Sequence, residues 1–235
     1  LDILHQARQN LLSDQDVING ELRLTTSSDL GRNFILPWLD ELVELHPQLR
    51  LKLILNDHAL DFYRDSVDVA LRYGSPTDSN LYGFKIGEVP RVLCASPSYI
   101  NTYGVPGHPK ELPDHNGLFY QLSGIAHDTW KFTRDKHIYS ARMTANRVAN
   151  DGDLVRRWCL SGKGLALKSA IDMSDDLLAG RVISLMPEYR PTPTELWLIC
   201  PSKESINPMV RLLREQVTQK CQGILEKLRS KEYIA

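Results

Sequence analysis

The chain lacks a basic excess: Lys and Arg number 28 against 29 Asp and Glu. A free-standing nucleic-acid binder needs surplus cations to neutralise phosphates, so direct DNA binding by these residues is disfavoured. Long hydrophobic runs are missing too. No stretch approaches the roughly 18 apolar residues that cross a bilayer, and the polar opening Leu1-Asp2-Ile3-Leu4-His5-Gln6 is not a signal-peptide pattern. A cytoplasmic location with no membrane partner is the expectation. The four cysteines, Cys94, Cys159, Cys200 and Cys221, form no C-x-x-C pair. A zinc or redox motif is thereby left without support, and buried free thiols are expected.

Catalytic signatures are equally absent. There is no G-x-S-x-G and no H-E-x-x-H, and Ser161-Gly162-Lys163-Gly164 lacks both the upstream glycine of a phosphate-binding loop and the third glycine of a dinucleotide fingerprint. His58, His115 and His127 stand singly in expected loops, where solvated or helix-capping roles suffice. Neither an enzyme nor any metal or other cofactor is expected.

What is present describes an ordinary globular protein, with 42% hydrophobic and 24% charged residues. A length of 235 residues exceeds the usual single core and suggests two lobes of about 100 residues each. The start at Leu1, without an initiator methionine, reads as an excised fragment or a processed chain.

Apolar residues at three- and four-residue spacing predict an amphipathic helix over residues 2 to 17. Strands are predicted at Leu22–Thr25, Leu49–Leu55 and Val67–Arg72. Between them lie a helix carrying Phe34 to Leu45 and a short one near Leu60 to Arg64. Such alternation implies a mostly parallel sheet covered by helices, with ligands outside the carboxyl ends of its strands. Further on come a strand Arg91–Ala95, a helix Pro97–Tyr103 and a Gly- and Pro-rich loop over 104 to 116. Short strands follow near 118 to 122, 130 to 134 and 137 to 145, with Asp135-Lys136 as a hairpin turn. The last expected elements are a helix Asp151–Leu160, a strand Gly164–Leu167, a helix Ala170–Leu178, strands near Val182 to Leu185 and Glu195 to Cys200, and a helix from Asn207 to about Arg229.

Gly20-Glu21-Leu22-Arg23-Leu24, the Pro37 helix, His46-Pro47-Gln48-Leu49-Arg50-Leu51 and Asp68-Val69-Ala70-Leu71-Arg72-Tyr73-Gly74 follow one another in an order that resembles the effector domains of LysR-type transcriptional regulators. Arg91 to Tyr99, Gly104-Val105-Pro106, Gly162 to Ser169 and Asp176 to Arg181 extend the resemblance over about residues 18 to 220. It implies an α/β, type II periplasmic-binding-protein-like fold: two lobes joined by two crossing strands, mapped here near Ala95 and Trp197. Residues 1–19 would end a linker helix, 20–95 with 196–235 form one lobe, and 96–195 form the other. The N-terminal winged helix-turn-helix of such regulators is missing.

The resemblance also implies a small-molecule effector between the lobes, a homodimer or homotetramer, and DNA contact only through the missing domain. RNA polymerase is a further candidate partner. A side-by-side dimer would use Leu51 to Leu55 and the helix Leu36 to Leu45, although a core role for most of these leucines is the plainer reading.

Candidate effector contacts follow from chemistry at the expected strand ends. Thr25, Thr26, Ser27 and Ser28 precede a long helix whose first N–H groups suit an anion; alternatively Ser27, Ser28 or Asp29 caps that helix. Arg72 would reach the cleft and hold a carboxylate bidentately, or else pair with Asp57 or Asp68. Tyr73 would shape the adjacent wall. From the second lobe come Tyr120 and Gln121, then Asn150 and Asp151 at a helix start where Asp151 or Asp153 could cap instead. Lys168 is a cleft cation or a solvated surface group. Cationic and N–H donors from both lobes point to a small anionic metabolite. The competing binding module is a periplasmic solute-binding protein of similar architecture, against which the unpaired cysteines and the heptad-like start weigh.

Overall fold

A computed structural model describes residues 20–58, 61–76 and 78–234. The expected helix over residues 2 to 17, and the reading of 1–19 as the end of a linker, lie outside the described residues.

Three parallel strands open the first lobe: β1 (Gly20–Thr26), β2 (Leu49–Leu55) and β3 (Val69–Tyr73). Helix α1 joins β1 to β2 in continuous pieces, Ser28–Leu30, a π-helical segment Gly31–Ile35 and Leu36–Leu45. A short helix α2 (Phe62–Asp65) precedes β3. Two antiparallel strands, β4 (Tyr82–Val89) and β14 (Thr194–Cys200), complete a five-stranded sheet in the order β2-β1-β3-β14-β4. Period-two burial sorts the side chains. Val69, Leu71, Leu196 and Leu198 face the main core, while Ala70 and Ile199 face a small cluster with Phe62 and Val67.

Strand β5 (Arg91–Ala95) pairs antiparallel with β11 (Ala166–Ser169) and β12 (Ile183–Ser184), so it belongs to the second lobe's sheet. The first passage between lobes is therefore at Pro90, not near Ala95. The return runs from Thr192, which still bonds Lys131, to Thr194 at the start of β14, not near Trp197, which sits inside the first sheet opposite Arg72 and Lys85. The first displacement has a local cause: β5 is apolar on both faces, with Val92 and Cys94 packed one way and Leu93 and Ala95 the other. A doubly buried strand carries no mark of which sheet it joins.

The second lobe adds helix α3 (Pro97–Tyr103) and, inside the stretch expected to be loop, a 3₁₀ helix Pro109–Asp114. Then come β6 (Asn116–Leu122), β7 (Ile125–Ala126), β8 (Thr129–Arg134), β9 (His137–Arg142) and β10 (Thr144–Ala149). The β8–β9 hairpin turns on Asp135 and Lys136, at φ 49° and 66°, the conformation of a type I′ turn. Strand β10 runs parallel to β6, and Gly117 bridges in parallel to Leu165, leading into β11. Helix α4 (Gly152–Leu160) follows β10, a short α5 (Ser174–Leu178) follows β11, and β13 (Arg190–Pro191) pairs with β8. The chain closes on α6 (Pro208–Ser230), which Asn207 caps by accepting from the Val210 N–H at 2.9 Å. Val210, Leu213, Val217, Cys221, Leu225 and Leu228 form its buried stripe. All four cysteines are buried free thiols, as expected.

The Ser161-Gly162-Lys163-Gly164 segment ends α4 and opens no helix. Gly162 and Lys163 donate to the Cys159 and Trp158 carbonyls, both at 3.0 Å, which is a helix C-cap. Gly162 has φ +71°, and a Cβ there would lie 2.6 Å from Ser98 Oγ. Gly162→Ala is expected to lower the unfolding free energy by about 1–2 kcal/mol, as urea denaturation would measure, with an unchanged far-ultraviolet spectrum.

Candidate functional site

Parallel strands end together, and the carboxyl ends of β1, β2 and β3 deliver Thr25 to Ser28, Asn56 to Asp57, and Arg72 to Tyr73 to one edge. The parallel pair β6 and β10 does the same opposite, delivering Tyr120, Gln121 and Asn150 to Gly152. The two edges meet and form the cleft.

Its deepest part is ionic. Lys168, on β11, is 8% exposed and donates to the Asp29 carboxylate across the cleft and to the Gly152 carbonyl at 3.1 Å. Burial alone would lower the Lys168 pKa, but the charges of Asp29 and Asp172 and the Asp29 hydrogen bond outweigh it and raise it. The expected solvated role is thus replaced by a buried pair. Asp172 lies beside this pair, and burial followed by the Asp29 charge pushes its carboxyl well above the usual range. It accepts from the Tyr73 hydroxyl at 2.9 Å, and that hydroxyl also meets Ser169 Oγ at 2.8 Å, a second tie between lobes. Burial likewise pushes the Tyr73 phenol well up. Gly152 is required here by close approach, because a Cβ would stand 2.8 Å from Asp29 Oδ2.

Nearer the mouth, Ser28 is the central donor. Its N–H donates to Asp57 Oδ1 at 2.7 Å and its hydroxyl to Asp57 Oδ2, while Ser28 Oγ accepts from Gly152 N at 2.9 Å and Asp153 N at 3.3 Å. Gly152 N also reaches Asp57 Oδ2 at 3.0 Å. Asp151 takes the capping role, accepting from Leu154 N at 2.8 Å, and pairs with Arg32 at 3.3 Å. Burial would raise the Asp153 pKa, yet hydrogen bonds from Asn33 and Arg157 and the charges of Arg157 and Arg156 leave it lowered.

Arg72 does reach the edge, but its guanidinium bonds the Asn56 carbonyl and Thr25 Oγ1, the latter at 2.9 Å. Asp68 instead pairs with Arg23, and Asp57 acts on Arg72 by charge, while burial dominates and lowers the Arg72 pKa. Thr26 and Ser27 carry buried hydroxyls without a partner; Ser27 occupies the N-cap position of α1 yet makes no capping bond. Tyr120 donates to the Asp57 carbonyl at 3.3 Å and stacks on His127, and burial pushes its phenol up to about 12. Gln121 and Asn150 line a cavity of about 260 Å³ with Asp57 and His58. Asp57, Asp172 and Ser169 were missing from the expected contacts. Asp57 could have been found by the rule that picked the others, since it lies just beyond a parallel strand end.

Among the described residues no cluster of His, Cys, Asp or Glu is placed to hold a metal, and no helix is long and apolar enough to cross a membrane.

The family model of the LysR substrate binding domain matches residues 15–222. The chain belongs to that family. Among curated relatives, the HTH-type transcriptional regulator DmlR of Escherichia coli K12 is 31% identical over 209 residues, covering 88% of this chain and 68% of the relative. The transcriptional activator TtdR of the same strain is 28% identical over 203 residues, covering 85% and 65%. This LysR-family chain thus spans about two thirds of the length of those regulators. The regulatory domain of CrgA from Neisseria meningitidis superposes with a TM-score of 0.76 at 22% identity, covering 87% of this chain and all of that one, a likeness of fold. The AphB regulatory domain of Vibrio vulnificus gives 0.65 at 25% identity, covering 83% and 96%. The two-lobed fold inferred for LysR domains is the one found. These relatives are regulators and not enzymes, and they do not favour the periplasmic alternative.

The buried pair and the raised Asp172 carboxyl give two testable consequences. Lys168→Met leaves Asp29 buried without its cation and should cost about 3–5 kcal/mol in denaturant unfolding. Because the fold raises the Asp172 carboxyl above its ordinary value of about 3.9, its contribution is full below that value and is lost as pH rises through its folded value. Asp172→Asn should remove that decline, so that variant minus wild-type stability increases with pH. A difference that stays flat across the titration contradicts the assignment.

Proposed function

We propose that this LysR-family chain is the effector-sensing part of a bacterial transcriptional regulator, acting in the cytoplasm. It binds a small anionic metabolite between its lobes and so modulates DNA binding and transcription by the full-length protein. The observation that carries the reading is the meeting of two helix starts, α1 and α4, from opposite lobes around one carboxylate. Backbone N–H groups at helix N-termini favour anions, and Arg72 and Lys168 stand close by. Thr25, Thr26, Ser27, Ser28, Arg72, Tyr73, Tyr120, Gln121, Asn150, Asp151 and Lys168 remain the proposed contacts, with Asp57 added to them.

DNA contact and RNA polymerase contact are assigned to the intact regulator. A homodimer or homotetramer is supported by the place of β2 at the sheet edge, beside Leu45, which is 63% exposed. An unpaired edge next to exposed apolar side chains suits a partner surface. Closure of the lobes on effector shifts a two-state equilibrium only by the ligand's differential affinity for the two states.

A thermal-shift screen of small carboxylates, aromatic acids, amino acids and sugar phosphates tests the reading. A hit at 100 times its dissociation constant stabilises by about 2.7 kcal/mol, and the same compound must change the operator affinity or footprint of the full-length regulator. Tight binding that leaves operator affinity, footprint and transcription unchanged overturns it.

A further inference from the structure

The carboxylate at the meeting of α1 and α4 belongs to the chain itself. We propose that Asp57 is a resident occupant of the effector's anion seat, and that a small carboxylate ligand acts by taking its place. The proposal rests on the reading of the cleft as the effector site and adds what the ligand must displace.

Asp57 is not a local cap. It lies in the loop after β2, 29 residues from Ser28 and 95 from Gly152, yet it accepts from the N–H of both. The local caps are otherwise engaged or idle: Asp151 serves Leu154, and Ser27 makes no capping bond. Asp57 Oδ1 takes the Ser28 N–H, and Oδ2 takes the Ser28 hydroxyl and the Gly152 N–H. A free carboxylate would be offered the same donors.

Two further observations point to exchange. The seat has donor capacity that Asp57 leaves unused, since among the described residues the buried side-chain polar atoms without a partner are Thr26 Oγ1, Ser27 Oγ and Arg72 Nε, at the ends of β1 and β3. Thr26 is fully buried, where an unmade hydrogen bond is costly. The side chain also has somewhere to go, because Asp57 and His58 line the cavity of about 260 Å³ with Gln121, Ser123, Val148 and Asn150. That space is close to the lower end of small-ligand pockets, roughly 300 Å³.

A tethered carboxylate competes at an effective concentration in the millimolar range, so a free carboxylate binds wild type with an affinity reduced by the fraction of time the seat is vacant. The probe is sodium acetate, titrated against sodium chloride at equal ionic strength into the wild-type chain, Asp57→Ala and Asp57→Asn. The readouts are the Gly152 amide resonance and the melting temperature. Asp57→Ala is expected to bind acetate at least tenfold more tightly than wild type, with Gly152 returning towards its wild-type position and the melting temperature recovering. Asp57→Asn, which keeps an acceptor on the same tether, serves if the alanine variant does not fold, and must also bind more tightly than wild type. Equal acetate affinity in wild type and variants overturns the displacement and leaves the effector-site reading standing. A Gly152 resonance that acetate moves in none of the three proteins overturns both the displacement and the anion-binding reading of the cleft.

Discussion

A buried ammonium must be given acceptors, and the arrangement of this molecule follows from where Lys168 finds them. One is the Asp29 carboxylate at the start of α1, and the other is the Gly152 carbonyl at the start of α4. Asp29 belongs to the first lobe, whereas Lys168 and Gly152 belong to the second, so one cation fixes both helix starts and both sheets in register. Breaking such a pair strands a buried charge. Gly152 has no side chain because Asp29 fills the space, and burial together with the Asp29 charge pushes the Asp172 carboxyl well above its usual range.

Above this floor the lobes meet through hydrogen bonds, beside the apolar cluster that they share. Ser28 with Gly152 and Asp153, Tyr73 with Ser169 and Asp172, Tyr120 with the Asp57 carbonyl, and Asp57 with Gly152 are directional contacts, each modest in net free energy. Directional contacts can be exchanged for others of similar geometry, whereas interdigitated apolar packing cannot be remade without a cavity. The main apolar cluster runs through both lobes, from Leu24, Leu30 and Leu71 to Val155, Cys159 and Leu177, and the polar contacts line the part of the seam that a polar ligand can enter. That combination suits a sensor whose output is a change in the angle between two bodies.

Much of the fold was legible because local chemistry decides it. The alternation of Leu49 to Leu55, the Asn207 cap ahead of a buried stripe, and the Asp135-Lys136 turn each declare an element without reference to distant residues. Strand β4 was weakly legible although Tyr82, Phe84 and Ile86 alternate with Gly83, Lys85 and Gly87, since two glycines weaken the strand signal and only Val89 is fully buried. The sheet membership of β5, whose two apolar faces serve two cores, was not legible. In the cleft, the rule that strand ends gather found Thr25, Ser28, Arg72, Tyr73, Tyr120 and Lys168 as neighbours. It did not say what they hold. Asp29 and Lys168 are 139 residues apart and Asp57 and Gly152 are 95 apart, and no periodicity reports such pairings.

Polar contacts at the start of α4 close the cleft between the lobes, and hydrogen exchange at the Gly152 amide reads that closure. That N–H has its acceptors, Ser28 Oγ and Asp57 Oδ2, in the other lobe, so it is protected only while the lobes are closed. Its protection is expected above that of an exposed loop and below that of the β1 and β3 amides, because opening of the seam requires less than global unfolding. Exchange at the unprotected rate, or only on global unfolding, would contradict it.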